Sequence, residues 1–561
     1  MMTGTIDRLR TSAPLLALGT FVLMLLAGLL LPVYTDEIGW RFQERAAIDG
    51  LDIMFNDLCG PNTIVHAPWF MMPVRFFSAM ANQALASPLF VRIEGIACAL
   101  VWVVLLWRLT SRLEADSAAR ANLRTVLFSL LAMGILPFLM VLSRPEQPQI
   151  LMLSLAMLAA FAVPATTARR AAFRSAGIVL FAWIALSYHL KGVAYFPVYL
   201  ACLLACANGP RTWWPRLAGA VTLTALTLAS AQYWVHRFQC SGDPVIAKKL
   251  AGENVAALLS SGGDWMSVAS SIAKGTNPLY YFWLAVPGNN VNWLPSAMTM
   301  TSGSATFVLA IFFLWGGVLV CSLFSLALYC WNERLQALRE RRVLIALALL
   351  GCLAAWGASQ LNRNHYEAAQ YLPMTIVLYA MCLTLPHRTA QWPKQVLGFF
   401  CKLGIPAALA SAAAVLASAA VPLSEASSHA GWIPNLRVSV SAYGYPKVRQ
   451  DIATAMDRAG MGGGQRFNRL LVDDVTYLAL QHHTMPMHRL GVLGDWKGVI
   501  TDPVAYLVSR NSDGVVIGCR YLPARMRMVA GKSGEVCAIS RAGLQQLAAS
   551  GPTRFGDGEQ Y

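Results

Sequence analysis

Four short stretches of this sequence place acids and bases beside apolar runs. The first is Tyr34-Thr35-Asp36-Glu37, directly after an apolar run over residues 13–33. Two adjacent carboxylates at the edge of an apolar layer are costly when desolvated and call for a compensating role. Asp36 could serve as general base toward an acceptor hydroxyl, with Glu37 orienting or assisting it, because partial desolvation tunes a carboxyl for that task. The alternative is a solvated helix cap just outside the layer. The other three stretches are Ser143-Arg144-Pro145-Glu146-Gln147, Tyr188-His189-Leu190-Lys191-Gly192 and Asn362-Arg363-Asn364-His365-Tyr366-Glu367. Each sets a cation between two apolar runs. Arg offers phosphate a planar fork and Lys a point charge. Snorkelling of long side chains toward head groups would explain one isolated cation; three such loops beside an acidic pair favour a phosphate site.

The elements that position these residues are read from composition. Of 561 residues, 56% are hydrophobic and 13% charged, against about 25% charged in an ordinary soluble domain. That argues against a cytosolic globular enzyme, and equally against disorder. The apolar residues fall into eleven runs of bilayer-spanning character, at about 13–33, 88–107, 125–142, 149–163, 175–188, 192–207, 217–235, 305–331, 343–358, 369–385 and 396–421. With the N-terminus inside, Arg8, Arg10, Arg108, Arg112, Arg120, Arg124, Arg169, Arg170, Arg174, Arg211, Arg216, Arg334, Arg339, Arg341, Arg342, Arg388 and Lys394 all fall on the cytoplasmic side. The short opposite loops hold little beyond Arg144, Lys191 and Arg363. This positive-inside asymmetry explains most of the net charge of +16 without any nucleic acid. The first run is too long for a signal peptide and lacks a small-x-small cleavage site, so it reads as an anchor.

Two outer loops are long, 34–87 and 236–304. The stretches 39–58 and Trp69–Leu85 suit helices lying in the interface plane, or simply covering the bundle. Inside the spans, Arg92 and Glu94 are the main ionisable groups, near the outer entry of the second; their scarcity weighs against a transporter. The expected architecture is an α-helical polytopic membrane protein of about eleven transmembrane helices over 1–423, with a small periplasmic α/β domain over 424–561. In that tail Val448–Ala459 reads as an amphipathic helix closed by Gly460 and the Gly462–Gly464 run, and Leu470–Val472 and Ala505–Val508 as strands. Eight of the twelve cysteines lie in or beside spans. Cys59, Cys240, Cys519 and Cys537 fall on the outer face, where Cys519–Cys537 and Cys59–Cys240 are the favoured pairings among three. The run from His482 to His488 offers ligands suited to copper, but loop surface is the better explanation.

The order and placement of Asp36-Glu37, Arg144-Pro145-Glu146, His189-Leu190-Lys191-Gly192, Asn364-His365-Tyr366-Glu367 and Tyr371-Leu372-Pro373 resemble the GT-C class of integral-membrane glycosyltransferases, including relatives of protein O-mannosyltransferases and of the lipid A aminoarabinose transferase. The resemblance covers roughly residues 10–420; the tail is not covered. It implies transfer of a sugar from a polyprenyl-phosphate donor to a lipid, glycan or protein acceptor on the periplasmic face of a bacterial inner membrane. Carried onto this sequence, it implies Asp36 as catalytic base with Glu37 beside it. Arg144, His189 and Lys191 would hold the donor phosphate. Glu146, Arg363, His365, Tyr366 and Glu367 are candidate substrate contacts. Direct attack opposite the leaving group implies inversion. Some members of the class use a divalent ion such as Mg or Mn, and the sequence distinguishes neither case. A flippase or transporter of lipid-linked sugar, or a glycan polymerase or ligase, remains as an alternative.

Overall fold

In a computed structural model of the protein, the described residues are 2–30, 37, 70–84, 92–134, 136–239, 266, 269, 270, 273, 303–358, 368–387, 392–428, 445–462, 467–480, 487–490 and 499–555. The apolar part is helical: α1 (Met2–Ala27), α2 (Met72–Ala84), α3 (Ile93–Leu113), α4 (Ser117–Ala132), α5 (Leu136–Met140), α6 (Glu146–Ala160), α7 (Ala168–Tyr188), α8 (Phe196–Ala205) and α9 (Trp213–Gln239). Further along the chain come α10 (Gly303–Glu333), α11 (Arg341–Ala358), α12 (Ala368–Leu383) and α13 (Trp392–Ser428). A helix overlies each of the eleven apolar runs. Among the described residues, four stretches are long and apolar enough to cross a membrane: Ile93–Leu113, Ala168–Tyr188, Phe313–Arg339 and Gln395–Ala417. Ser12–Ala27, Lys191–Ala205 and Tyr371–Leu383 are shorter apolar helices.

Helix starts follow local chemistry. The Asp116 carboxylate accepts from Ala118 N and Ala119 N to open α4, and Thr167 Oγ1 accepts from Arg170 N to open α7. These are side chains satisfying otherwise orphaned backbone donors. The arginines of the basic loops close helix ends. Arg341 Nη1 donates to Ala160 O and Ala162 O, each at 3.2 Å, beyond the C-terminus of α6. Arg174 Nη1 donates to Cys206 O at 3.1 Å and Arg216 Nη1 to Leu204 O at 3.1 Å, both at the end of α8, while Arg342 Nη1 donates to Thr384 O after α12. Cations at helix C-termini satisfy free carbonyls and complement the helix dipole. The candidate site lies at the other ends of α6 and α7.

Close packing there depends on glycine. A Cβ on Gly95 of α3 would lie 2.1 Å from Val141 O, and one on Gly192 would lie 2.8 Å from Ala185 O. The first allows α3 to press against the turn after α5 that leads to Ser143-Arg144. The second lets the 3₁₀ turn Leu190–Tyr195 fold back on the end of α7.

The C-terminal part holds α14 (Tyr445–Arg458), followed by Gly460 at φ +71°, as the amphipathic pattern predicts. Beyond it, β1 (Leu470–Val472), α15 (Asp474–Leu480), β2 (Met487–Arg489), α16 (Pro503–Ser509), β3 (Gly514–Gly518), α17 (Ala524–Val529), β4 (Gly531–Ser533), β5 (Val536–Ser540) and α18 (Arg541–Ala549) build a mixed α/β unit. The sheet order is β2-β1-β3-β5-β4, with β1 parallel to β2 and β3 and the remaining pairs antiparallel. The expected strand at Ala505–Val508 is instead part of α16. Asp502 accepts from Val504 N and Ala505 N, and Pro503 stands in the first turn, so a cap and a pre-set φ override the short apolar run. The His482–His488 run does not end as loop surface: Met487 and His488 are buried within β2. Cys519 and Cys537 are disulfide-bonded across β3 and β5. The eight span cysteines are free thiols. The other expected pairing, Cys59–Cys240, lies outside the described residues.

Valine at Gly95 is expected to lower stability by about 2 kcal/mol or more, because backbone rather than a flexible side chain must move. Alanine at Gly177, where a Cβ meets nothing within 4 Å, should leave the melting temperature in detergent unchanged or slightly raised. Replacing Cys537 by Ala opens a loop of 18 residues and should cost the C-terminal part about 3 kcal/mol, read as proteolytic cleavage of that part at a lower temperature than in wild type.

Candidate functional site

The segment Ser143–Glu146 lies between two buried charge clusters. On one side is Glu37, fully buried together with Arg92. Arg92 Nη2 meets Glu37 Oε2 at 3.2 Å, its Nε meets Oε1 at 3.4 Å, and its Nη1 donates to Gly28 O at 2.9 Å at the end of the first helix. Ser143 N donates to Glu37 Oε1 at 3.0 Å, and Ser143 Oγ to Glu94 Oε2 at 2.8 Å. Both oxygens of Glu37 are thus engaged. Its geometry is that of a brace joining the end of the first helix and the start of α3 to the segment Ser143–Glu146. Asp36 lies outside the described residues.

On the other side Arg144 grips Glu146 with a two-pronged contact, Nε to Oε2 at 3.1 Å and Nη2 to Oε1 at 3.0 Å. Lys191 Nζ reaches the same Glu146 Oε1 at 3.1 Å. Glu146 is the first residue of α6, where the helix dipole favours a negative charge. Burial alone would raise the Glu146 carboxyl, but the Arg144 guanidinium and the Lys191 ammonium, with His189 nearby, hold it well below the usual carboxylate range. It is an ionised anchor at neutral pH, fixing two cations side by side.

His189 leaves α7 in an extended conformation, and its Nδ1 accepts from Lys191 N at 3.3 Å. That bond assigns Nδ1 the acceptor role in the neutral ring and places the ring proton on Nε2. Gln149, one turn into α6, donates through Nε2 to Ala185 O at 2.8 Å and to His189 O at 3.0 Å, satisfying carbonyls at the end of α7. The ring of His189 lies 5.8 Å from that of Trp234 on α9. The structure therefore brings Arg144, Glu146, His189 and Lys191 together, as the loop pattern leads one to expect. Arg363, His365, Tyr366 and Glu367 lie outside the described residues. Among the described residues no group of three His, Cys, Asp or Glu side chains could hold a metal ion.

Two participants escape the motif reading. Gln149 looks like an ordinary polar residue at a helix start. Arg92 is visible as a charge inside a span, but nothing in the spacing pairs it with Glu37. A charge in an apolar run is the usable signal, since it must find a partner.

No protein-family model matches the chain, and no curated protein matches it in sequence. Among solved structures it is similar to the crystal structure of the Archaeoglobus fulgidus oligosaccharyltransferase tethered with an acceptor peptide containing the NVT sequon via a disulfide bond. The TM-score is 0.41 and the identity 12%, over 92% of this chain and 70% of that one.

Replacing Glu146 with Gln leaves the buried Arg144 and the half-buried Lys191 without their shared carboxylate, and should cost about 3–5 kcal/mol. The pH dependence carries a sign. Because the folded-state value lies below the ordinary 4.5, the contribution is complete above pH 4.5 and is lost as pH falls below it. Wild-type melting temperature should therefore drop more steeply on acidification below pH 4.5 than that of Glu146→Gln.

Proposed function

We propose that the chain is an inverting GT-C-type glycosyltransferase that moves a sugar from a polyprenyl-phosphate donor to a lipid, glycan or protein acceptor. Supporting the reading is one arrangement above all: Arg144 and Lys191, both anchored on Glu146 and joined by His189, at the ends of apolar helices. A phosphate is the ligand class that such an arrangement suits.

In this reading the helices form a bundle of about eleven spans in a bacterial inner membrane, with the N-terminus cytoplasmic and the site and C-terminal α/β part periplasmic. The acceptor hydroxyl attacks C1 of the sugar, the C1–O bond to phosphate breaks, and its electron pair stays on the phosphate oxygen. The hydroxyl proton passes to Asp36. The phosphate thereby gains a negative charge, which fixed cations stabilise more in the transition state than in the ground state. Glu37, held by Arg92 and Ser143, acts as a brace rather than taking the proton.

The test is mass spectrometry of envelope lipids and glycans from a deletion strain complemented with nothing, with wild type, or with Asp36→Asn. The expected result is one glycan or lipid lacking a single sugar in the deletion and the Asp36→Asn strain alike. A wild-type profile with Asp36→Asn, at normal protein level, would overturn the base assignment and favour a carrier of lipid-linked sugar.

A further inference from the structure

The helix α2 has its polarity reversed relative to a helix on a soluble surface. Phe76, Phe77 and Met80 are exposed, whereas Arg75 and Ser78 are buried. Its start is fixed by Trp183 of α7, whose Nε1 donates to Phe70 O at 2.6 Å. This orientation turns Arg75 inward, 4% exposed, with its guanidinium over the indole of Trp234 at 5.3 Å from the ring centroid. The same indole packs against the His189 ring, and Tyr233 lies edge-on beside it at 5.2 Å.

Arg75 differs from the other two buried arginines of this region. Arg92 has Glu37, and Arg144 has Glu146. Among the described residues no carboxylate pairs with Arg75, and its buried Nε has no hydrogen-bond partner. The Tyr233 hydroxyl, on the neighbouring face, is likewise buried without a partner. A cation–π contact offsets only part of the cost of desolvating a guanidinium. A buried, always-charged group with free N–H donors suits an anion that arrives from outside the chain.

We infer that Arg75 is a phosphate-binding residue, meeting the lipid-linked phosphate from the α2 side while Arg144 and Lys191 meet it from the α6–α7 side. The inference rests on the transferase reading and deepens it: the ligand class is a polyprenyl monophosphate, whose polar head reaches Arg75 and whose chain lies along the apolar outer face of α2. Trp234 sets the angle of the guanidinium and carries its position to His189.

The test uses the full-length protein in detergent, with thermal unfolding followed at increasing undecaprenyl phosphate, undecaprenol or inorganic phosphate. Wild type should be stabilised by undecaprenyl phosphate and not by undecaprenol. In Arg75→Met the apo protein should melt no lower than wild type, because an uncompensated buried cation has been removed, and the lipid phosphate should bind about tenfold or more weakly. Arg75→Gln, which keeps a polar head without the charge, gives the same reading should Met prevent folding. A rise that Lys191→Gln abolishes but both Arg75 variants keep would overturn the inference alone. No rise in wild type would overturn the polyprenyl-phosphate reading itself. A rise equally strong with inorganic phosphate would assign Arg75 to a free anion and overturn its role toward a lipid.

Discussion

Everything at this end of the bundle follows from the cost of removing charge from water among apolar helices. An ionised side chain there must meet an opposite charge or enough dipoles, or it becomes neutral. Glu146 meets the condition by accepting from Arg144 and Lys191 at the start of a helix. Glu37 meets it by accepting from Arg92 and from the backbone of Ser143. Because Ser143 and Arg144 are neighbours, the two clusters are a single construction. The first helix, α3, α6 and the end of α7 are joined through four consecutive residues.

A construction of this kind works only if the helices approach closely. Gly95 and Gly192 are where side chains would keep them apart, and Gln149 closes the gap by bonding two carbonyls at once. At the opposite ends, arginines fold onto terminal carbonyls of α6, α8 and α12, so α6 is tied at both of its ends. Cations held on such a frame lose little further entropy when they meet a ligand, and electrostatic stabilisation of a developing charge depends on that kind of preorganisation.

The sequence is legible wherever one residue type admits few physical solutions. Long apolar runs separated by arginines place helices over each expected span, because a backbone in an apolar layer must satisfy its own hydrogen bonds. The loops carrying Arg144, His189 and Lys191 converge as expected, since cations at the ends of α6 and α7 share one carboxylate. What escapes is pairing over long sequence distance. Arg92 stands 55 residues from Glu37, and no local pattern encodes which charge turns to which. Composition also misleads for short elements where capping outweighs it: Ala505–Val508 has the apolar run of a strand, yet Asp502 and Pro503 make it helical. Phe76, Phe77 and Met80 look like an interfacial face in the sequence, while the inward direction of Arg75 depends on Trp234, contributed by a helix some 150 residues later.

The reversed polarity of α2 therefore carries more information than its composition. An amphipathic helix can expose Phe and Met at little cost only against an apolar medium, and can bury Arg only against something that satisfies it. Both conditions hold together if the outer neighbour of α2 is lipid and its inner neighbour is an anion. A lipid that bears its own phosphate satisfies the two sides of one helix with one molecule: chain outside, head group inside. A water-soluble sugar nucleotide would meet the inner condition and leave the outer one to bulk lipid, so it gives no reason for the two faces to be aligned at the same turn of the helix. The proposed membrane-borne donor would account for the alignment of Phe76 with Arg75, adjacent in sequence and opposite in environment.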